Sequence, residues 1–417
     1  MSKTFKRKKT LLAVTSVCAV ALVAGLVACA PQSNSTGSVE SEIMPTEDSY
    51  GVVVASEWEG LYPNQYATYL ENEANSPDSG KHNYLELYPA LNTMYKGYAF
   101  ALGYDEASSH LYTLESIKNS PRTIQKEQLA NCITCKTPQF TAKVNAEGTS
   151  AYQDKFNDVV NDFTEPISCY NCHENDPKEL VVASKFFVEK SMGADGDKVP
   201  MAAQVCGQCH NEYYFNGETK ETTNPYSGLA AMTPEAILAY YDERDFKDWT
   251  HPETGANLIK VQHPEFETIY GGKQSHMAQL GYSCSDCHMG TSVAEDGSTF
   301  TSHNWTSPLD NADLIKNTCS TCHEDLASEV AAWQTEEEQR VTAISEKIAD
   351  YIDKLAAKKD ALSAEDLATA QRLHREAQFY WDFVMVENSE GAHNPTLTFA
   401  TLDKAEAAVD EGLALIA

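Results

Sequence analysis

The sequence predicts a mainly α-helical protein, in which a long irregular region is followed by long helices. From Tyr50 to about residue 325 the chain is rich in Tyr, Asn, Pro and Gly, with short helical pieces and few alternating runs. No β-domain is expected there. The last quarter, about 324–417, carries apolar residues at three–four spacing over stretches without Pro or Gly. Five Cys-x-x-Cys pairs, starting at 132, 169, 206, 284 and 319, tie the irregular segments to a shared core. Residues 50–417 are therefore read as a single domain, although length alone would suggest two or three.

The helices follow from the pattern. Val341, Ile344, Ile348, Tyr351, Ile352 and Leu355 share one helix face, and Glu324 to Lys359 is expected as one helix well above average length. Ser363-Ala-Glu-Asp366 looks like a capping box opening a second helix, with Leu367, Leu373, Ala377, Trp381 and Val384 on one side. A third helix is expected from about Leu402 to Ile416. The simplest account of these faces is packing within the chain, but a very long helix also has surplus face that a dimer would bury.

The cysteine pairs carry the chemistry. Four continue into histidine, giving Cys169-Tyr-Asn-Cys172-His173, Cys206 to Cys209-His210, Cys284 to Cys287-His288 and Cys319 to Cys322-His323. In Cys-x-x-Cys-His two thioethers hold a c-type haem and the adjacent imidazole binds its iron. Zinc ribbons also use paired CxxC motifs, but they have no need of a histidine directly after the pair. The first pair, Cys132 and Cys135, continues into Lys136 instead. An ammonium binds iron only after losing its proton, so a fold that imposes this at one site of five has set that site apart. The competing readings of this pair are a site that has lost its haem and a plain structural CxxC. Of twelve histidines four follow CxxC pairs, which leaves eight as candidates for the second axial ligands.

The front of the chain reads as an export signal. Lys3, Lys6, Arg7, Lys8 and Lys9 precede an almost unbroken apolar run from Leu11 to Val27. That run ends in Leu26-Val27-Ala28-Cys29, which resembles a bacterial lipobox with Cys29 as the acylated residue. The expected organisation is a lipoprotein signal peptide over 1–28, a flexible polar tether over 29–49, and the domain beyond. Localisation would then be the periplasm or the outer face of the cytoplasmic membrane, held by the lipid alone. Twelve cysteines less Cys18 and Cys29 leave ten, all in CxxC pairs, so no thiol remains for disulfides in an oxidising compartment. The formal charge of −30 becomes about −35 once the five leader cations are removed. That excludes nucleic acid and an anionic lipid surface as natural partners.

One CxxCK followed by four CxxCH, in an exported chain ending in long helices, resembles the ammonia-forming cytochrome c nitrite reductases. Further matches are Cys206-Gly-Gln-Cys-His-Asn-Glu-Tyr-Tyr-Phe215, Leu258-Ile-Lys-Val-Gln-His-Pro-Glu265, Asp248-Trp-Thr-His251 and Ala377-Gln-Phe-Tyr-Trp-Asp382. The resemblance implies a multihaem cytochrome c fold, five c-type haems, one calcium ion and six-electron reduction of nitrite to ammonium. It implies Lys136 as proximal ligand of the active-site haem, with Arg122, Tyr213 and His263 on its open face. It implies His110, His276, His303 and His393 as distal ligands of the other four haems. Calcium would be bound by the side chains of Glu212 and Gln262 and the carbonyls of Tyr213 and Lys260. A membrane multihaem quinol dehydrogenase would be the electron donor, and the assembly a homodimer.

The residue chemistry agrees with that role. A permanently charged arginine suits capture of an anion, and His263 and Tyr213 are proton donors suited to a reaction that consumes many protons. Two other readings stay open at this point. One is a purely electron-carrying multihaem cytochrome, which would have no need of an open iron. The other is a related reductase acting mainly on hydroxylamine or sulfite.

Overall fold

The computed structural model describes residues 45–417; the leader, Cys29 and most of the tether lie outside the described residues. Three long helices dominate the C-terminal part: α1 (Leu326–Lys358), α2 (Ala364–Met385) and α3 (Pro395–Leu415). Asp325 caps α1 by accepting the Ser328 amide, and every residue of the apolar stripe from Val341 to Leu355 is buried. Ser363 caps α2 by accepting the Asp366 N–H at 3.0 Å. Its hydroxyl donates to the Asp366 carboxylate at 2.7 Å, so the local box closes on the side chain.

The third helix begins earlier than its apolar pattern suggests. Asn394 accepts the Leu397 amide and Pro395 occupies the first turn, a strong start signal that precedes the apolar run at Leu402. His393 is thereby fixed immediately ahead of a helix.

The three helices pack on one another, and two buried polar groups are satisfied across the contact. The Trp381 indole N–H donates to the Val341 carbonyl, and the Tyr351 hydroxyl to the Ala370 carbonyl, both at 2.8 Å. At Gly412 a Cβ would stand 2.5 Å from the Tyr351 ring, so only glycine lets α3 approach α1 this closely.

Upstream, the chain is short helices and turns. The only strands among the described residues form three two-stranded antiparallel hairpins, Tyr214–Phe215 with Thr222–Thr223, Trp249–Thr250 with Asn257–Leu258, and Thr291–Val293 with Thr299–Thr301. The large core joins the long helices to the segments around Cys206 and Val261. A separate apolar cluster, Leu114, Ile117, Ala130, Ile133, Phe140, Tyr152, Phe156, Val160 and Phe163, surrounds Cys132 and seats the lysine-bearing motif.

One buried group in α1 sets a pH dependence. Glu337 is 3% exposed, and burial, with the charges of Glu390, Glu387 and Glu338 adding to it, raises its carboxyl to about 8. The folded state therefore holds a proton that the unfolded chain releases near the ordinary carboxylate value. The associated stability is present below that value and is lost as pH rises through about 8. Glu337→Gln is expected to raise the melting midpoint above pH 8 and leave it nearly unchanged near pH 4.5. Between those two conditions the gain should grow by roughly 1.4 kcal/mol with each tenfold fall in proton activity. An equal midpoint for the two proteins at about pH 9 would contradict this.

Candidate active site

The Lys136 backbone is placed by a strained turn. Cys135 has φ +60°, a left-handed conformation rare for a residue with a side chain, and the Lys136 N–H returns to the Ile133 carbonyl at 3.0 Å. The Lys136 carbonyl accepts from the Thr113 hydroxyl at 2.9 Å, and Thr137 caps the helix Pro138–Glu147 that follows. Burial, reinforced by the Arg122 guanidinium, holds the Lys136 ammonium below its ordinary range. That favours the neutral amine, the only form with a lone pair for a metal.

Arg122, Tyr213 and His263 come to the same place. The Arg122 guanidinium lies 4.0 Å over the Phe100 ring and donates to the Phe100 carbonyl at 3.2 Å. Its Nε is buried with no protein partner, and so is Nδ1 of His263. Burial pushes the Tyr213 hydroxyl up, while the Arg122 charge opposes that. Burial lowers His263 to about 4, against the nearby Glu265 carboxylate, with His210 and Lys136 adding to the lowering. The four residues thus share one electrostatic environment around the Cys132–Lys136 turn.

The other four motifs can be tested against a haem iron. Metal–imidazole nitrogen bonds of about 2.0 Å place two axial rings roughly 6 Å apart, centre to centre. His173 and His303 lie at 6.4 Å, His210 and His110 at 5.9 Å, and His288 and His393 at 6.0 Å. His210 also has His263 at 6.2 Å; the family resemblance gives the axial place to His110. His276 is exposed at the start of a short helix, and is the candidate left for His323.

The outer nitrogens fit as well. Nδ1 of His173, His288 and His303 faces the carbonyls of Glu179, Thr306 and Thr301 at 2.6, 2.9 and 3.1 Å. A carbonyl only accepts, so Nδ1 carries the hydrogen and Nε2 keeps its lone pair, which is the tautomer that binds iron. The leftover histidines are structural or exposed: His251 Nε2 meets the Thr93 carbonyl at 2.9 Å, His374 Nδ1 meets the Thr254 hydroxyl at 3.1 Å, and His82 is at the surface. All ten cysteines of the described residues are free thiols, and they form a connected series. Cys135 contacts Cys209, Cys206 contacts Cys284, Cys287 neighbours Cys319, and Cys172 neighbours Cys209. The residues present fit five thioether-linked haems in contact range of one another, with the Cys206–Cys209 site at the branch.

The residues assigned to calcium also cluster. Glu212 is fully buried; its Oε2 accepts the Gln262 backbone N–H at 2.6 Å and its Oε1 the Tyr241 hydroxyl at 2.8 Å. The Gln262 amide reaches the Lys260 carbonyl at 3.0 Å. Among the described residues no group of three or more His, Cys, Asp or Glu is set to hold a metal. The calcium set would not form one, because only Glu212 in it is a carboxylate. A charge imbalance favours a cation there. Burial pushes Glu212 well up with Glu267 and Asp248 adding to it, and the Lys260 ammonium faces Asp382, Glu212 and Asp248 at once. Three carboxylates against one ammonium leave two uncompensated charges when all are ionised.

The model of the cytochrome c552 family matches residues 55–417. The chain belongs to that family. It is 30% identical to the cytochrome c nitrite reductase subunit NrfA of Nitratidesulfovibrio vulgaris, over 92% of this chain and 82% of the relative. It is 32% identical to a cytochrome c-552 of Bacteroides fragilis, over 95% of this chain and 83% of the relative. Its fold is similar to the solved catalytic subunit of cytochrome c nitrite reductase from Desulfovibrio desulfuricans, a protein described as having two calcium sites. The TM-score is 0.77 at 27% identity, covering 89% of this chain and 87% of that one.

As a member of the cytochrome c552 family, the chain has supporting residues that sequence reasoning did not assign. Glu265 follows His263 closely, and its Oε2 stands 3.8 Å from His210 Nδ1. Gly207, inside the third CxxCH motif, would place a Cβ 2.3 Å from the Phe266 ring, so its small size brings this motif against the His263 segment. Asp382 accepts the Val261 N–H at 3.0 Å and the Tyr95 hydroxyl, anchoring the extended Lys260–Gln262 segment to α2. All three lie inside the matched segments, but each acts through a backbone or a ligand far away in sequence, so the motif alone assigns it no role.

Proposed function

We propose that this chain catalyses the six-electron reduction of nitrite to ammonium as an ammonia-forming cytochrome c nitrite reductase. One observation carries the reading. A single CxxC pair continues into a half-buried lysine that shares its electrostatic environment with Arg122 and His263, whereas the other four continue into histidines, three of which face a second imidazole. When bound, five c-type haems supply the one-electron steps, and the iron held by Lys136 supplies an open coordination position.

The chain's own residues do the rest. Lys136 would hold the active-site iron through its neutral amine. Arg122 turns a buried, unpartnered Nε and a permanent charge toward an anionic substrate, which holds the nitrite oxygens as charge builds on them. His263, neutral at physiological pH because of its burial, donates one N–H and accepts at the other nitrogen. Tyr213 keeps its proton and donates it as a hydrogen bond. The four motifs that end in histidine would hold the haems that supply electrons to the Lys136 site. A pure electron carrier accounts for those four sites but gives no use for the fifth. The decisive experiment is a haem-to-protein ratio measured together with ammonium formed from nitrite and reduced viologen. Five haems and ammonium are expected, and five haems without ammonium would overturn the assignment.

Glu212 and Gln262, with the Tyr213 and Lys260 carbonyls, would hold calcium. It would tie the Tyr213 and His263 loops together, in a positioning role. Chelation and Gln262→Ala are each expected to lower turnover severalfold at unchanged haem content. A Gln262→Ala protein that retains calcium and full turnover would refute the ligand set.

Three further features belong to this reading. No helix among the described residues is long and apolar enough to cross a membrane. The lipobox at Cys29 makes the attachment a lipid one, which mass spectrometry of the mature N-terminus tests; an unacylated start elsewhere would exclude it. The donor is a membrane multihaem quinol dehydrogenase, tested by reconstitution with quinol. The long helix α1 presents its outer face to a second copy, so light scattering on a variant lacking Cys29 should give twice the chain mass.

A further inference from the structure

The histidines that face one another divide by what holds their outer nitrogens. At the His173/His303 site both Nδ1 atoms face neutral backbone carbonyls. At the His288/His393 site one faces a carbonyl, but Nδ1 of His393 lies 2.6 Å from Oε1 of Glu387. Two proximal histidines, His323 and His210, also have carboxylates, in weaker form. Glu329 is 2.8 Å from His323 but its side chain is 40% exposed, and Glu265 is buried but 3.8 Å from His210. Glu387 alone is both close and dry, with its side chain 3% exposed.

Its position is locked by a small closed turn. The Ser389 hydroxyl donates to Oε2 of Glu387 and accepts the His393 backbone N–H at 2.9 Å. Glu387 follows the end of α2 and His393 precedes α3, so both partners sit in the short connection between two helices whose inner faces are buried. A carboxylate that accepts the Nδ1 hydrogen makes the imidazole a stronger electron donor through Nε2, and a dry site weakens the screening of its charge. Both effects stabilise ferric over ferrous iron.

We propose that Glu387 is a positioning residue that lowers the reduction potential of the haem iron held between His288 and His393, making that centre the lowest in potential of the four histidine-ligated ones. The step concerned is the uptake of one electron by ferric iron, with no bond made or broken. The centre would be the last of the four to fill, and would return its electron most readily toward the neighbouring Cys206–Cys209 site. The inference rests on haem being bound as above. A chain without haem would fail in the haem count, before any potential is read, so the two failures are distinguishable.

Glu387→Gln keeps the shape and an acceptor oxygen while removing the charge. Potentiometric titration of the holoprotein, followed by its low-spin electron paramagnetic resonance signals, should show one centre whose reduction constant rises about tenfold or more, about 59 mV for each tenfold in a one-electron couple. That centre should be the one whose signal is lost in His393→Gly. Glu329→Gln, at the exposed pair, should move its own centre less, and Glu387→Asp should restore part of the wild-type potential. Should the glutamine variant lose haem, Ser389→Ala, which unlocks the carboxylate and also frees the His393 backbone N–H but keeps both Glu387 and the His393 imidazole, is read instead and should raise the same centre. An unchanged potential at full haem content, or an equal shift of all centres, would overturn the proposal.

Discussion

Lys136→His is expected to leave five haems attached and to lower nitrite reduction tenfold or more, roughly 1.4 kcal/mol or above in transition-state stabilisation. Attachment depends on Cys132 and Cys135, which the substitution leaves alone, and histidine is the ordinary ligand after such a pair. What changes is electron donation from below the open position, and with it the balance between holding nitrite and releasing ammonium. The turn at Cys135, with φ +60°, suits a long flexible side chain reaching from the next residue. An imidazole, shorter and planar, would have to enter from the same backbone. Electron exchange through the other four sites should be almost untouched, since none of their histidines is altered. Full activity at five haems would mean that Lys136 is not what distinguishes this site, and the case would rest on Arg122, Tyr213 and His263.

What the sequence makes legible here is whatever lies close together along the chain. The CxxC pairs, the missing histidine at 136 and the stripe from Val341 to Leu355 are all local patterns, and each has its counterpart in the structure. Apolar periodicity misplaces the third helix because its start is written in Asn394 and Pro395, before that periodicity begins. Which histidine faces which is not legible at all. His173 and His303, or His288 and His393, meet only because the chain folds back over more than a hundred residues, and nothing in either sequence neighbourhood names the other. The same holds for Glu265, Asp382 and Glu387. Their roles come from burial and from a partner atom, and an isolated carboxylate in sequence is most often a solvated one. Arg122 lies between these cases. Its position after His110 is suggestive, but only its burial beside Phe100 with an unpartnered Nε separates it from a surface arginine.

That distinction can be put to a measurement, and Arg122→Gln is expected to reduce kcat/KM for nitrite about 10²–10³-fold, roughly 2.7–4 kcal/mol, the scale found when one donor to a developing oxyanion is removed. Glutamine can still donate to the Phe100 carbonyl, so the α-turn from Pro121 to Ile124 should hold and haem content should not fall. The loss should appear mostly in KM if Arg122 chiefly captures the anion, and in kcat as well if it also steadies charge as the N–O bonds break. Arg122→Lys keeps the charge but not the planar fork, and should recover only part of the loss. Because the Arg122 charge also helps hold the Lys136 ammonium low, its removal makes the neutral amine slightly harder to form, a second cost in the same direction. Hydroxylamine, which is uncharged near neutral pH, offers the internal control. Its reduction by Arg122→Gln should fall far less than that of nitrite, whereas equal losses on both substrates would assign Arg122 to upkeep of the Lys136 site and not to anion binding.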